Sequence, residues 1–468
     1  MTEKRKILFI CHMSTFFTDL LGVMKLCLKH EIEPVIQFTC PLHTVIQNVQ
    51  TCLDFGVEIY DTDGNSITDT NNIQIPAEKL PSAKNQVKNT KSLRKKFKNS
   101  PIVNWSNIKD RFEKRSRITR EILHKLNPDL VILGSDITGH DTCICIREAH
   151  KFGIKITLVS MILADGDDPA NFLANRPQNQ MDNIFNKITG LIFPNWVYKY
   201  QGKKLLRLPA SYVFYYKINN LAPKKPWVCN SGYSDSIILD GQKSFDFYLN
   251  AGLDKNKMYT LGSINNDILY SIQTRKEELK NSLYEKYNLD KNKKLIITAL
   301  HPKYFMDGIK EFDNDYDKLS DYWIKTLKNT NYNIIGCPHP SLDISELKKY
   351  EDDNFKIYDG YTIDIIGLAD IYVANISSTI KWAVMCGIPV INYDLANMDF
   401  KEYRNTPGII TVTNKELFEQ ELKFLTTDKT YYNKILAKQQ EKSSYWGVLD
   451  GHAGTRIIEH LNYLMETK

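Results

Sequence analysis

The sequence has no run of 18 apolar residues in its 468 positions, so no transmembrane helix is expected. The N-terminal stretch MTEKRKILFICHMS lacks a small-residue cleavage site, and we interpret its short apolar run as a first strand rather than a signal peptide. The nine cysteines include no CxxC pair, which disfavours a structural zinc site and a disulfide framework. These absences predict a cytoplasmic protein with reduced thiols.

Strong net charge is also missing, since 61 basic residues face 55 acidic ones and leave a net charge of +6. The basic residues concentrate between 84 and 120, where aromatic residues are few, so we do not expect a nucleic-acid partner. Two interpretations of this stretch stay open. It is typical of a solvated insertion followed by a surface helix, and it also suits a basic face that contacts an anionic membrane or an acidic glycan.

Short apolar segments alternate with amphipathic ones along the chain, which predicts parallel βαβ units. The length favours two domains, and the Pro-, Ser- and Gly-rich stretch 221–236 is interpreted as the linker between them. We therefore expect domains at 1–225 and 226–468, the first with a basic insertion at about 62–120. The last amphipathic segment, 451–467, is expected to pack back on the first domain. Ligands of two such open sheets are expected in the cleft that they face.

Three predicted strands of the second half end in imidazole or hydroxyl side chains. Because carboxyl ends of parallel strands meet at one edge of a sheet, these side chains should line one rim. A helix N-terminus that opens with hydroxyls can bind an anion, and a nearby imidazole adds a donor, so the pattern favours a phosphate site. Ser377 as a simple N-cap and His339 as a buried core histidine stay open as alternatives. The proposed binding residues are His301, His339, Pro340, Ser377, Ser378 and Thr379.

The segments PHPSLD, ADIYVANISSTIKWAVMCGIPVI, DGHAGTRIIEHL and MYTLGSINNDIL resemble bacterial glycosyltransferases of the GT-B fold. The resemblance covers most of residues 230–465 and is strongest to enzymes that build capsule, lipopolysaccharide and teichoic acid. Those include sialyltransferase-like and Kdo-transferase-like enzymes and the glycerophosphotransferases that use CDP-glycerol. The resemblance implies two Rossmann-like parallel-sheet domains that face a cleft, a nucleotide-sugar donor, and a glycan or glycolipid acceptor. It also implies a location in the cytoplasm or at the inner face of the cytoplasmic membrane.

By this resemblance, His339 and the hydroxyls at 377–379 would hold the donor phosphate, and His301 would lie beside the nucleotide. The loop around Gly360 and Asp364 would flank the nucleobase. Retaining enzymes that use UDP- or GDP-sugars often carry a Glu in the helix after the small residues, whereas 380–383 reads IKWA here. This departure favours a CMP- or CDP-linked donor, and a UDP-sugar donor stays open.

An inverting transfer needs a general base for the acceptor hydroxyl. The sialyltransferase-like families carry a pair of acids before a Gly, and Asp165 before Gly166 matches this pattern in part, because Ala164 replaces the first acid. An ordinary acidic turn is the alternative for this stretch. His12 and Asp136 are further candidates for the base, as is His140, because each follows a predicted strand of the first domain.

Taken together, the sequence predicts a metal-independent transfer of a sugar or polyol phosphate from a nucleotide-activated donor. No DxD-type acidic pair stands at a predicted strand end, so we expect neither a metal nor another cofactor. A non-hydrolysing sugar-nucleotide epimerase on the same architecture is the first alternative. A non-catalytic binder that uses the basic 84–120 face is the second.

Overall fold

A computed structural model describes residues 4–71, 73, 101–159, 163–303, 309–400 and 402–467. The chain divides into two compact units. The first unit comprises Met1–Leu239, Phe245–Ser263 and Gly454–Lys468, and the second comprises Asp240–Ser244 and Ile264–Ala453.

The first unit is built on an eight-stranded sheet in the order β10-β9-β6-β5-β1-β2-β3-β4. Its pairs are parallel except for β4, which runs antiparallel to β3. The strands are β1 Lys6–Cys11, β2 Glu33–Phe38, β3 Glu58–Tyr60, β4 Ser66–Ile67, β5 Leu130–Leu133, β6 Lys155–Val159, β9 Ser236–Leu239 and β10 Met258–Thr260, with a separate hairpin of β7 Val197–Tyr200 and β8 Lys203–Leu206. Central strands such as β5 are buried at every position, which explains their continuous apolar sequence.

The second unit is built on a six-stranded parallel sheet in the order β13-β12-β11-β14-β15-β16. Its strands are β11 Leu295–Leu300, β12 Asn333–Pro338, β13 Phe355–Ile357, β14 Ile371–Ala374, β15 Val390–Tyr393 and β16 Ile409–Val412. Two apolar clusters pack against this sheet, one around Trp323 and Phe418 and the other around Tyr372 and Trp446.

Helices occupy most of the connections between strands, as parallel pairing requires. Those of the first unit are α1 Phe17–Lys29, α2 Ile46–Asp54, α3 Pro101–Leu126, α4 Thr142–Lys151, α5 Asp167–Leu173, α6 Ile184–Ile192 and α7 Ala210–Ile218. The next along the chain are α8 Gln242–Asn250, α9 Ile264–Thr274, α10 Lys276–Lys286, α11 Tyr316–Lys328, α12 Ile344–Leu347, α13 Thr362–Ile366, α14 Ile380–Met385, α15 Lys415–Thr427, α16 Lys429–Trp446 and α17 Ala453–Glu466.

The strand order reverses direction once in each sheet. In the first sheet the reversal lies between β1 and β5, and in the second it lies between β11 and β14. In open α/β sheets the crevice at such a switch point, beyond the carboxyl ends of the strands, is where ligands bind. The fold therefore defines one candidate site in each unit.

The division of the chain differs from the expected boundary at residue 226. Strands β9 and β10 lie in the first sheet, where β9 pairs with β6 and β10 pairs with β9. The stretch 221–236, which we interpreted as a linker, belongs to the first unit, and its Asn230 is buried there. Helix α17 is also part of the first unit, where a ring nitrogen of His460 lies 3.0 Å from the Ser236 hydroxyl.

The basic stretch 84–120, interpreted either as a solvated insertion with a surface helix or as a face for anionic partners, is only partly described, since residues 84–100 lie outside the described residues. On α3, Arg111 pairs with Asp141, and Arg115 donates to the carbonyl oxygen and the hydroxyl of Thr62. Lys114 pairs with Asp63. Much of the charge of α3 is therefore balanced within the unit. Within the described ranges, no helix is long and apolar enough to cross a membrane.

Candidate functional site

The switch point of the second sheet brings together three loops that carry predicted binding residues. His301 follows β11, His339 follows β12, and the hydroxyl residues 377–379 follow β14. Leu300 pairs with Pro338, and Thr298 pairs with Val373, so the three strands end at the same edge. Neighbouring strands are about 5 Å apart, which places the ends of β12 and β14 about 10 Å from each other across β11. The parallel arrangement predicted for these three strands is confirmed.

The loop after β14 holds a strained conformation. Ile376 has a φ of +43°, which is costly for a β-branched residue, and its backbone N–H donates to Oδ1 of Asn392 at 2.9 Å. The hydroxyl of Tyr403 donates to the carbonyl oxygen of Ser377 at 3.0 Å. Asn375 Oδ1 is buried and has no hydrogen-bond partner among the described residues. Strain and an orphaned acceptor at a switch point indicate a ligand site.

The three hydroxyls of this loop differ in availability. Those of Ser377 and Thr379 bond each other at 2.6 Å, and that of Thr379 also bonds the hydroxyl of Tyr372. Ser378 is exposed and is the member most accessible to a ligand. The expectation that the hydroxyls open the helix differs from the structure, because α14 begins at Ile380, has six residues and has no side-chain cap bond from Thr379. Ser377 instead accepts from the N–H of Thr379 at 3.3 Å within the turn.

His339 and Pro340 lie in the turn after β12. The N–H of Ser341 donates to Nδ1 of His339 at 3.1 Å, so the neutral ring carries its proton on Nε2. Partial burial lowers the pKa of His339, which favours this neutral form. In this form Nε2 is the hydrogen-bond donor of the ring. Pro340 is exposed and shapes the turn.

His301 is buried, so little of its ring is accessible for direct contact with a nucleotide. Its ring packs edge-on against Trp323, with 4.4 Å between the ring centroids. Burial lowers the pKa of His301 to about 3, so it is neutral at physiological pH. It lines a small pocket together with Tyr316, Ser320 and Leu347.

The loop after β13 presents an exposed aromatic ring. Tyr361 is 71% exposed, and its backbone N–H donates to Oδ2 of Asp364 at 3.2 Å. A Cβ on Gly360 would lie 2.8 Å from the ring of Tyr358, so a larger residue at this point of the loop would require that ring to move. The arrangement leaves the Tyr361 ring available for stacking.

Helix α14 carries a buried lysine in the stretch that lacks an acid. Lys381 Nζ lies 2.9 Å from Asp240 Oδ2 and 3.8 Å from Glu402 Oε1, and the side chains of Lys381 and Asp240 are 3% and 1% exposed. Ser244 donates to Asp240 from its hydroxyl. The ion pair fixes the position of α14, the helix that follows the loop of hydroxyl residues 377–379.

In the first unit, the loop after β5 buries Asp136 at the switch point. Thr142 donates to Asp136 Oδ1 at 2.8 Å, and a Cβ on Gly232 would lie 1.8 Å from Oδ2. Burial raises the pKa of Asp136 to about 6, and the Thr142 bond opposes part of that rise. The carboxyl lines a small, partly open pocket with Thr138 and Tyr233. A carboxylate with a pKa near neutrality suits a general base.

Asn230 positions this loop. Its backbone N–H donates to the carbonyl oxygen of Asp136 at 2.7 Å, and its Oδ1 accepts from the Asp136 N–H at 2.7 Å and from the Ser135 hydroxyl at 3.0 Å. Its Nδ2 donates to the hydroxyl of Tyr248 at 2.7 Å. Asn230 adopts a φ of +62°, which asparagine tolerates better than most residues.

His12 follows β1 at the same switch point. It is 9% exposed, and neither ring nitrogen has a hydrogen-bond partner among the described residues. Its ring centroid lies 5.4 Å from that of His140. Burial, with a smaller effect of His140, lowers the pKa of His12 to about 3. The structure thus places His12 near His140 as a neutral, unpartnered imidazole.

Asp165 lies beyond β6, in an acidic turn. Its N–H bonds to Asp168 Oδ2 at 3.2 Å, and Gly166, with a φ of +39°, donates from its N–H to the carbonyl oxygen of Trp227. The N–H of Cys229 donates to the carbonyl oxygen of Ala164. Residues 229–230 therefore contact both this turn and, through Asn230, the loop of Asp136. This geometry has the features of the acidic-turn alternative.

Sequence reasoning missed Asn230, Asn392, Tyr361 and Lys381. Asn392 is a polar residue inside the apolar run IPVINY, and that interruption was the available signal. Asn230 precedes Ser-Gly, a combination typical of a positive φ. No signal in the sequence pairs Lys381 with Asp240. No group of three or more His, Cys, Asp or Glu side chains in the described ranges could hold a metal ion.

Comparison with solved structures shows similarity over the whole chain. The UDP-GlcNAc 2-epimerase of Neisseria meningitidis bound to UDP-GlcNAc is 13% identical with a TM-score of 0.55, covering 98% of this chain and 100% of that chain. The S. aureus MnaA-UDP structure is 14% identical with a TM-score of 0.52, covering 99% and 97%. CalG4, the calicheamicin glycosyltransferase, is 12% identical with a TM-score of 0.53, covering 99% of each chain.

No family model matches the chain, and no curated protein is similar to it at a significant level. The structural similarities establish the fold. The chain is an α/β protein with two Rossmann-like parallel-sheet domains of the GT-B type, as the sequence predicted.

Proposed function

We propose that the chain is a glycosyltransferase that moves a sugar, or a polyol phosphate, from a nucleotide-activated donor to a hydroxyl of a cell-surface glycan or glycolipid. One observation carries the proposal. At the switch point of each sheet, a buried polar atom has no hydrogen-bond partner among the described residues, namely Oδ1 of Asn375 in the second unit and the ring nitrogens of His12 in the first. Buried polar groups without partners cost about 1–3 kcal/mol each, and ligands are what satisfy them at such places.

The second unit is the donor half-site of this proposal. The phosphate next to the transferred group accepts hydrogen bonds from the Ser378 hydroxyl and from Nε2–H of His339. Oδ1 of Asn375 accepts a hydrogen bond from a hydroxyl of the ligand. The nucleobase stacks on Tyr361, which is 71% exposed. Fixed neutral donors stabilise the negative charge that develops on the departing nucleotide phosphate.

The first unit is the acceptor half-site. Asp136, with a pKa of about 6, is ionised at neutral pH and takes the proton from the acceptor hydroxyl. The hydroxyl oxygen forms a bond to the anomeric carbon of the sugar, the bond from that carbon to the phosphate oxygen breaks, and its electron pair leaves with the nucleotide. His12 is neutral because its pKa is about 3, so it binds the acceptor by a hydrogen bond rather than by charge.

The donor nucleotide is the open part of the proposal. The absence of an acid at 380–383 supports a CMP- or CDP-linked donor, and Lys381 occupies part of that stretch as the partner of Asp240. The similar structures named for UDP-GlcNAc and UDP support a UDP-linked donor. The capsule and lipopolysaccharide classes of acceptor rest on the sequence resemblance, as does a location at the inner face of the cytoplasmic membrane.

A donor screen tests the proposal. CMP-, CDP-, UDP- and GDP-sugars are incubated with the protein, and the released nucleotide is identified by mass. We expect one nucleotide to be released and to raise the melting temperature. His339→Ala with Ser378→Ala should abolish that rise, whereas Ser282→Ala, an exposed serine on α10, should not. If CMP, CDP, UDP and GDP all fail to stabilise the protein, the donor site is wrong, and a non-catalytic binder of other ligands is the better description.

A second candidate is a non-hydrolysing sugar-nucleotide epimerase, which the likeness to the solved UDP-GlcNAc 2-epimerase of Neisseria meningitidis favours. Such an enzyme would convert UDP-GlcNAc to its epimer without any acceptor. Incubation with UDP-GlcNAc alone separates the two candidates. Free epimer supports the second candidate, and slow hydrolysis to a nucleotide supports the transferase.

A further inference from the structure

Helix α6 in the first unit exposes its apolar side. Five large apolar side chains of this helix are exposed to solvent, whereas the buried positions are Asn186, Thr189 and Gly190. The exposed fractions are 61% for Ile184, 41% for Phe185, 45% for Ile188, 83% for Leu191 and 54% for Ile192. Because residues three and four apart share one side of a helix, these five form a single apolar face.

The helix is held to the unit by polar bonds rather than by this face. Asn183 caps it by accepting from the N–H of Asn186 at 2.8 Å. Nδ2 of Asn186 donates to the carbonyl oxygens of Gln178 at 3.0 Å and Gln180 at 2.8 Å, and its Oδ1 accepts from the N–H of Ala210 at 3.2 Å. A large part of the apolar face is therefore left exposed by the fold, and a contiguous exposed patch of this kind marks an interaction surface.

The apolar face continues onto the neighbouring helix α7. The two helices pack against each other, and Ile218 at the end of α7 is 67% exposed. Phe193, which follows α6, lies 5.5 Å from Phe214 of α7 between ring centroids. Lys217 Nζ lies 5.3 Å from the centre of the Phe193 ring, so a basic group borders the apolar surface.

The sequence around this helix is basic. Residues 176–220 contain seven Lys or Arg and one Asp, of which Arg207 donates to the carbonyl oxygen of Pro226 and is not exposed. Lys187 is exposed on α6 itself. The β7–β8 hairpin contributes Lys199, Lys203 and Lys204, and it joins the start of α6 through the bond from Met181 N–H to the carbonyl oxygen of Lys204 at 3.3 Å.

We propose that the exposed face of α6, with its basic border, docks on an anionic lipid bilayer. Apolar side chains on a helix with lysines beside them match the acyl and headgroup layers of such a membrane. A second copy of the chain would bring the same positive border against itself. The stretch 84–98 of the same chain is another candidate occupant of this face. It holds seven basic residues and no acidic one, so repulsion between like charges disfavours its binding there. This inference goes beyond the proposed transfer and does not depend on it.

Cosedimentation of the full chain with vesicles tests the inference. We expect binding to vesicles of phosphatidylcholine mixed with phosphatidylglycerol, and much weaker binding to phosphatidylcholine alone. Ile188→Ser with Leu191→Ser should lower the partition coefficient by about tenfold or more, since both side chains would enter the membrane. Lys187→Gln with Lys204→Gln should lower it by about tenfold and weaken its dependence on salt. Leu417→Ser, an exposed apolar residue on α15, is the matched control and should bind like the wild type.

Two results would overturn the inference. One is equal binding of the Ile188→Ser/Leu191→Ser variant and the wild type to the mixed vesicles, or no binding by either. The other is a wild-type dimer that the same variant makes monomeric, without vesicle binding, because the face would then join two copies. Heat-shift with nucleotide is measured on each variant. Vesicle binding without any nucleotide response would count against the proposed transferase and leave the docking surface supported.

Discussion

Replacing Asp136 by Asn should change how the stability of the protein depends on pH. The Asp136 carboxyl is buried, receives a hydrogen bond from Thr142 and packs against Gly232. Its pKa is raised from 3.8 to about 6 by burial. Well below pH 3.8 the carboxyl is protonated and neutral in both the folded and the unfolded state, so its burial carries no free-energy penalty for removing a charge from water. As pH rises to 6, the unfolded state ionises first and the free energy of unfolding falls.

The size of this loss follows from the two pKa values. The interval between 3.8 and about 6 corresponds to about 3 kcal/mol in the free energy of unfolding, fully lost above pH 6. Asn is neutral at every pH and does not have this loss. Any change in the free energy of unfolding that comes from altered packing in the variant is the same at low and at high pH. The stability of Asp136→Asn relative to the wild type should therefore increase by about 2–2.5 kcal/mol between about pH 4, where the unfolded carboxyl is already partly ionised, and pH 7.5.

Urea unfolding of both proteins at the two pH values measures this difference. Asp353→Asn, which replaces an exposed carboxyl in the second unit, should show no such change between the two values. On our proposal Asp136→Asn also loses transfer activity by at least about a hundredfold while it still responds to nucleotide, because a general base contributes that much. A stability difference that is constant across the pH range would refute the burial argument. Undiminished transfer would refute the role as base.

Further variants test the donor half-site and its supports. Lys381→Met should lower the free energy of unfolding by about 3–5 kcal/mol, since it leaves Asp240 buried without its cation, and adding Asp240→Asn should recover part of that loss in urea unfolding. Tyr361→Ala should weaken nucleotide binding by about 1–3 kcal/mol in titration calorimetry, while Tyr361→Phe should bind normally because the ring is kept. Asn392→Ala should cost about 1–3 kcal/mol in urea unfolding and also weaken nucleotide binding, because the N–H of Ile376 loses its acceptor.

A specific result would contradict each of these three predictions. A loss below about 1 kcal/mol for Lys381→Met would mean that water reaches Asp240 and screens it. Equal nucleotide affinity in Tyr361→Ala and the wild type would place the nucleobase elsewhere. A destabilised Asn392→Ala variant that binds nucleotide as tightly as the wild type would limit Asn392 to a structural role.

Sequence reasoning was successful for the features that depend on neighbouring residues. Strands such as β5 and β11 are continuous apolar runs because parallel strands are buried on both sides, and those runs are visible without a structure. The carboxyl ends of β11, β12 and β14 were located for the same reason. The two-sheet GT-B architecture followed from that alternation together with the resemblance of the second half.

Pairing between distant segments was not predictable in the same way. Strands β9 and β10 are only four and three residues long, and nothing in them specifies which sheet they join. The stretch 221–236 has the composition of a linker, yet Asn230 is buried because its side chain satisfies the loop that holds Asp136. The hydroxyls at 377–379 suggested a helix N-terminus, but the helix begins at Ile380 because Ser377 and Thr379 bond each other in the preceding turn.

The sequence by itself determined where strands and helices form and which polar residues follow each strand, because periodicity and turn chemistry act over a few residues. Only the tertiary structure decided what those residues can do. Asp136 and Asn230 are 94 residues apart, and the pKa of that carboxyl is raised because the folded chain removes it from water. Burial and partnership of this kind are set by segments that meet only on folding, so the chemistry of a site cannot be derived from the local pattern around it.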